Sequence, residues 1–271
     1  MSKPEKLFVV VDPSDTVQIA LERALIMGKK HQAAPELFVF VGVDGEATDL
    51  RAINDNLFRT QNWFTSEIRE PIEAAGMKYT IEVSWSQEWQ KSIVQSAKRF
   101  AADRIYLPVH ERTNTSRFTF SEAKWDLLKT AHCPVVLIQP GAKPERKTVV
   151  AAVNFQARTD QQQKLNESIL YWGRTVADIY GADFHVVNAY LDSMLYPDRG
   201  MLARETALPS DKIHVEQGYT SDVVGAVAQR LNADLVVMGT LGQTGQTVTR
   251  RGNTAERVIS ELTMDVMVVN H

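Results

Sequence analysis

The chain has 271 residues, 44% of them apolar and 23% charged, and a formal net charge of −3. That length suits two domains better than one, and the composition excludes a disordered tail, a collagen-like fibre and a coiled coil. Basic and acidic side chains number 18 and 18 over residues 1–143 and 12 and 15 beyond them, so no bulk electrostatic signal points to nucleic acid.

Residues 7–13 (LFVVVDP) read as a first strand, a short β-branched run that stops at Asp12. A helix is predicted over 19–30, where Ile19, Leu21, Ala24, Leu25 and Ile26 fall near helical spacing. A second strand follows at 36–44. Ile53, Leu57, Phe64, Ile68, Ile72 and Ala75 then mark one face of a longer helix, with Pro71 as its expected kink. Residues 79–85 form a third strand, and Trp89, Ile93, Ala97 and Phe100 mark a third helix. Strand 102–110, helix 121–130 and strand 133–140 complete the series.

After a linker at 141–146 (GAKPER) the series repeats. Strands at 148–154, 183–191, 211–217, 233–241 and 265–271 parallel the first five in order, and the last helix, 253–263, parallels 121–130. Val223, Val224, Val227 and Leu231 stand where Trp89, Ile93, Ala97 and Phe100 stood. The second copy is about fifteen residues shorter between its second and third strands, so its second helix is shortened or lost. Each copy therefore reads β-α-β-α-β-α-β-α-β, with strands buried on both faces. The fold class expected is α/β, two tandem doubly wound parallel-sheet domains, at 1–142 and 147–271.

No apolar run approaches the ~20 residues of a membrane span. The start, MSKPEKLFVVVDPSD, lacks the pattern of a signal peptide. Cys133 is the sole cysteine, which excludes a disulfide framework and points to a cytoplasmic protein. Beside a proline and an apolar strand it reads as a buried structural thiol. The six histidines lack zinc-motif spacing, although His185 and His214 lie in predicted strands that could bring them together. Asp12 and Asp15, in D-P-S-D, suit turn and cap positions. Four of the five tryptophans, Trp63, Trp85, Trp89 and Trp125, fall in copy one, as do eight of ten phenylalanines. They imply a bulkier core or, as the alternative, a pocket for an apolar or amphipathic metabolite.

The stretch after the fourth strand of copy two, VVMGTLGQTGQTVTRRGNTAERVI, is the one that could carry chemistry. Gly239, Gly242 and Gly252 have the spacing G-x2-G-x9-G at the carboxyl end of a parallel sheet, where such sheets take ligands. Glycines let backbone N–H groups close on an anion, and Asn253 with Glu256 three residues on resembles a capping box at a helix start. Thr240, Thr244, Thr247 and Thr249 add hydroxyls, and Arg250 and Arg251 add charge. Turn glycines and an ordinary helix cap would give the same pattern. No base, nucleophile or acidic metal pair stands beside this loop, so neither catalytic nor metal-ligating residues are expected.

These residues resemble the tandem type of the universal stress protein family, and in particular its UspE-like branch. The ATP-binding class of that family has the fingerprint G-x2-G-x9-G-[ST], which Gly239, Gly242 and Gly252 match while Asn253 replaces the hydroxyl residue. The resemblance implies five-stranded, adenine nucleotide alpha-hydrolase-like domains. It also implies a cytoplasmic, non-catalytic stress-response protein that binds ATP or another adenine nucleotide, with or without Mg²⁺. It would place contacts at Val153, Asn154, Met238, Gly239, Thr240, Gly242, Gly252, Asn253 and Thr254. The family's first-strand aspartate is kept as Asp12 in copy one but is Asn154 in copy two. The corresponding loop of copy one has no glycine between Pro108 and Trp125, so copy one is expected to have lost phosphate binding. The resemblance further implies intrachain pairing of the two domains through residues 134–139 and 266–270, and a homodimer as a further state.

Overall fold

The computed structural model describes residues 4–43, 61–86, 88–109, 122–156, 159–240 and 254–270. The chain forms two compact units, Met1–Val109 with Ala131–Pro140, and His110–Thr130 with Gly141–His271. In the first, β1 (Lys6–Val11), β2 (Glu36–Val43), β3 (Lys78–Trp85), β4 (Arg104–Pro108) and β5 (Val135–Ile138) run in the order β3-β2-β1-β4-β5. In the second, β6 (Thr148–Ala152), β7 (Asp183–Tyr190), β8 (Ile213–Gln217), β9 (Leu235–Thr240) and β10 (Asp265–Asn270) run in the order β10-β9-β6-β7-β8. Every strand pair within each unit is parallel. The two orders are the same winding, so the tandem α/β expectation describes the molecule.

The inner strands are buried on both faces because their sequences are continuous apolar runs: Leu7 to Val11 in β1 and Val149 to Ala151 in β6 are all buried. β3 and β8 depart from that expectation. They stand at the end of each order with a strand neighbour on one side, and Val83 and Trp85 of β3 are exposed.

In the first unit α1 (Ile19–Lys30) and α4 (Trp89–Phe100) lie where the periodicity puts them. The longer predicted helix is α2 (Gln61–Trp63), a π-helical turn (Phe64–Arg69) and α3 (Glu70–Ala74). Pro71 cannot donate a backbone hydrogen bond and its ring crowds the carbonyl four residues back. The chain widens into a π-turn just before it, with Ile68 and Ile72 kept on the buried face. Ile53 and Leu57 lie outside the described residues. Among the described residues of this unit, Phe8, Phe38, Phe40, Trp63 and Trp89 are buried in its core, whereas Trp85 is exposed. Phe8 meets Phe38 at 5.1 Å and Phe40 at 5.6 Å, and Phe38 meets Phe100 at 4.9 Å. Gly42 is required by that packing, since a Cβ there would lie 2.3 Å from the Trp89 ring.

The second unit carries α5 (Glu122–Thr130), α6 (Asp160–Tyr180), α7 (Arg199–Thr206), α8 (Thr220–Arg230) and α9 (Thr254–Glu261). The second helix of this repeat is shortened, to the eight residues of α7, and not lost. The connection into it exposes Leu191, Met194 and Leu195. The expected linker at 141–146 ends in an anchor: Arg146 is buried, paired with Asp265 Oδ2 at 2.5 Å and donating to the Asp234 carbonyl at 2.8 Å.

Candidate functional site

β6 and β9 are adjacent parallel strands, with Val149 beside Leu235 and Ala151 beside Val237. Their chains leave in opposite senses, β6 toward β7 and β9 toward β10, so this is the switch point of the winding. Val153 and Asn154 follow β6, and Met238, Gly239 and Thr240 end β9, so the structure brings these five predicted residues to one end of the sheet. Val153, Met238 and Thr240 are buried and Asn154 is exposed. Thr254 is the first residue of α9, with Glu256 in the first turn. Gly242, Gly252 and Asn253, together with Thr244, Thr247, Thr249, Arg250 and Arg251, lie outside the described residues.

The turn after β6 is held by carboxamides. The Asn154 N–H donates to Asn166 Oδ1 at 3.0 Å, and Asn166 Nδ2 returns a bond to the Asn154 carbonyl at 2.8 Å. One side chain thus satisfies both main-chain groups, as a neighbouring strand would. Phe155 N–H donates to Asn188 Oδ1 at 2.8 Å. Asn188 Nδ2 reaches Gln156 Oε1 at 3.1 Å, and Gln156 Nε2 reaches the Ala189 carbonyl at 2.7 Å. Asn166, on α6, and Asn188, on β7, are both buried. Sequence reasoning missed both. The available signal was a polar residue inside an apolar strand, HVVNAY, and inside a helix interior.

Gly239 has a packing requirement of its own: a Cβ there would lie 2.6 Å from Leu165 Cγ, on α6. In the first unit, the retained acid is engaged in its own turn. Asp12 Oδ1 accepts from Ser14 N–H at 2.9 Å and from Ser14 Oγ at 2.6 Å, and Gln18 Nε2 donates to the Asp12 and Asp15 carbonyls. Cys133 sits in the bend before β5 rather than in the strand; burial, with Asp103 nearby, pushes its thiol up to about 12. His185 and His214 do meet, with ring nitrogens 3.1 Å apart. Among the described residues no three histidine, cysteine or carboxylate side chains converge as a metal site, and no helix is long and apolar enough to cross a membrane.

The sequence profile of the universal stress protein family matches residues 4–139 and again 148–270. Over 99% of its length the chain is 26% identical to Universal stress protein E of Salmonella typhi, covering 95% of that protein. A universal stress protein structure from Pseudomonas aeruginosa UCBPP-PA14 superposes with a TM-score of 0.78 at 21% identity, covering 98% of this chain and 93% of that one. One from Archaeoglobus fulgidus gives 0.69 at 17% identity, covering 97% and 98%. Two family matches in succession, carried on two sheets of one winding, establish that this chain belongs to the universal stress protein family, in its tandem form.

Proposed function

We propose that the second repeat holds an adenine nucleotide at the carboxyl ends of β6 and β9, and that the protein is a non-catalytic, nucleotide-responsive stress protein of the cytoplasm. The observation that carries this reading is the placement of Asn154, Gly239 and Thr240 at the same end of the adjacent strands β6 and β9, the switch point of the second winding, where open α/β sheets take ligands. The spacing of Gly239, Gly242 and Gly252 supports a main-chain phosphate cradle beside it, with Asn253 and Thr254 opening the helix. The groups around the turn support binding rather than turnover: Asn166, Asn188 and Gln156 are engaged in holding the turn, and Asn154, exposed there, is a neutral carboxamide that takes no proton. Asn154 has no charge with which to hold a metal, so nucleotide binding is expected to be independent of Mg²⁺.

Calorimetric titration of the full chain with ATP, ADP and AMP, with and without Mg²⁺, tests this. One site per chain is expected, with similar affinity in both conditions, and Gly242→Val is expected to remove it. No heat at millimolar concentrations of any of the three nucleotides overturns the proposal.

A further inference from the structure

His185 on β7 and His214 on β8 meet through Nδ1 and Nε2 at 3.1 Å, with ring centres 5.3 Å apart and planes inclined by 28°. Stacked rings would bring their centres almost as close as their atoms. Here the centres stand much farther apart than the nitrogens, so the rings meet edge to edge and one N–H points along the other ring's lone pair. Two neutral imidazoles make such a bond with one donor and one acceptor. A first added proton goes to the donor ring's outer nitrogen and leaves the bond in place, now charge-assisted. A second must go onto the accepting nitrogen itself. It deletes the bond and sets two cations against each other.

The surroundings carry charges of both signs. Asp183, on β7, is paired with Lys212 at 2.7 Å, and Glu216, on β8, with Arg230 of α8 at 2.5 Å. Asp183 and Asp211 favour a charged His185, and Lys212 opposes it. Glu216 and Asp211 favour a charged His214, and His185 and Arg230 oppose it. The pair also joins the last strand of the order to the rest of the unit, since β8 is hydrogen-bonded to β7 along Ile213 to Gln217.

We propose that His185 and His214 form a proton-operated clasp, which holds β8 to β7 with zero or one added proton and releases it when both rings are charged. Burial, the largest cause, pushes both rings below the ordinary histidine value. The unfolded chain therefore takes up protons first as the pH falls. The clasp contributes in full above the ordinary value near 6.5, and that contribution is lost as the pH falls through the depressed values.

The test is an NMR titration of imidazole nitrogens in the full ¹⁵N-labelled chain between about pH 8 and about pH 5, the window in which histidine changes charge. Amide exchange of Ile213–Gln217 is followed in parallel, corrected for its intrinsic pH dependence and compared with Leu235–Thr240. Two separated titration steps are expected, with protection of Ile213–Gln217 falling about tenfold more than that of Leu235–Thr240, the equivalent of one pKa unit. His185→Gln and His214→Gln keep hydrogen-bonding capacity without charge, and each is expected to reduce the pH-dependent difference well below that of the parent, since the remaining ring titrates without a second cation beside it. Two independent steps at the ordinary value, or a difference undiminished in either folded variant, overturn the proposal. The wild-type titration alone decides the matter should a variant fail to fold.

Discussion

The turn after β1 and the turn after β6 occupy the same place in two copies of one winding, and they are stabilised by opposite means. In the first unit the acid folds its own turn: Asp12 accepts from Ser14, two residues on. In the second unit the turn is held from outside, by Asn166 of α6 and Asn188 of β7. A locally closed turn commits its side chain to itself. An externally held turn leaves the first side chain, Asn154, exposed at the switch point. The two repeats thus share one winding while differing in how the turn at its switch point is held.

The two units also anchor a buried arginine differently, and this is where the largest effect is expected. In the first, Arg104 opens β4 and pairs with Glu5 at 2.6 Å; in the second, Arg146 precedes β6 and pairs with Asp265. Asp265 is fully buried, whereas Glu5 retains some exposure. Asp265→Ala leaves a cation buried and is expected to cost about 3–5 kcal/mol in urea unfolding. Glu5→Ala is expected to cost less, because Glu5 itself retains 13% exposure and water can enter the space it leaves beside the equally buried Arg104. Equal losses would show that the two anchors are equivalent and would remove this contrast.

Gly42 and Gly239 are the next pair. Each sits in a strand under a large side chain of a helix, Trp89 and Leu165 respectively. Gly239→Ala is expected to destabilise by about 1–3 kcal/mol through overpacking. Combining it with Leu165→Ala makes room for the added methyl, so the double variant is expected to lose less than the sum of the single changes. A strictly additive result would place the clash elsewhere. If nucleotide binding survives in that double variant, the glycine serves the fold and not the phosphate.

That ambiguity explains what the sequence could disclose. Strand positions and the repeat were legible because inner parallel strands demand continuous apolar runs, and the five strand segments of the first copy recur in order in the second. The shortened second helix of the second copy was legible as missing length. The anchoring of the site was not. Asn166 lies 12 residues from Asn154 and Asn188 lies 33 from Phe155, and no periodicity links carboxamides on a helix and a strand to a turn they reach only after folding. Gly239 was legible as a glycine but not as to its reason, since a phosphate cradle and a leucine overhead both exclude a Cβ. The meeting of His185 and His214 was anticipated only as two histidines on strands, because its geometry depends on the register of β7 and β8, in which His214 stands opposite Val187.

Asn188→Ala breaks the external hold directly. It strips the Phe155 N–H of its acceptor, and the expected cost is about 1–3 kcal/mol, read by urea unfolding. Asp12→Ala removes a turn bond at a more open position and is expected to cost about 0.5–1.5 kcal/mol. The reverse order of these two losses would mean that the locally closed turn is the stronger one.

The smallest change in stability, and the sharpest on function, is expected from giving the second turn the residue of the first. Asn154→Asp leaves both main-chain groups of residue 154 on Asn166, because those bonds use the backbone and not the altered side chain. Residue 154 is exposed, and surface substitutions move stability little, so a change of no more than about 0.5 kcal/mol is expected. An added carboxylate facing a nucleotide phosphate would repel it by roughly 1 kcal/mol in water, and Mg²⁺ between the two would reverse the sign. Calorimetry is then expected to show weaker metal-free ATP binding than the parent and a new dependence on Mg²⁺. Unchanged affinity in both conditions would mean that residue 154 does not face the ligand, and the site would have to be sought away from the end of β6.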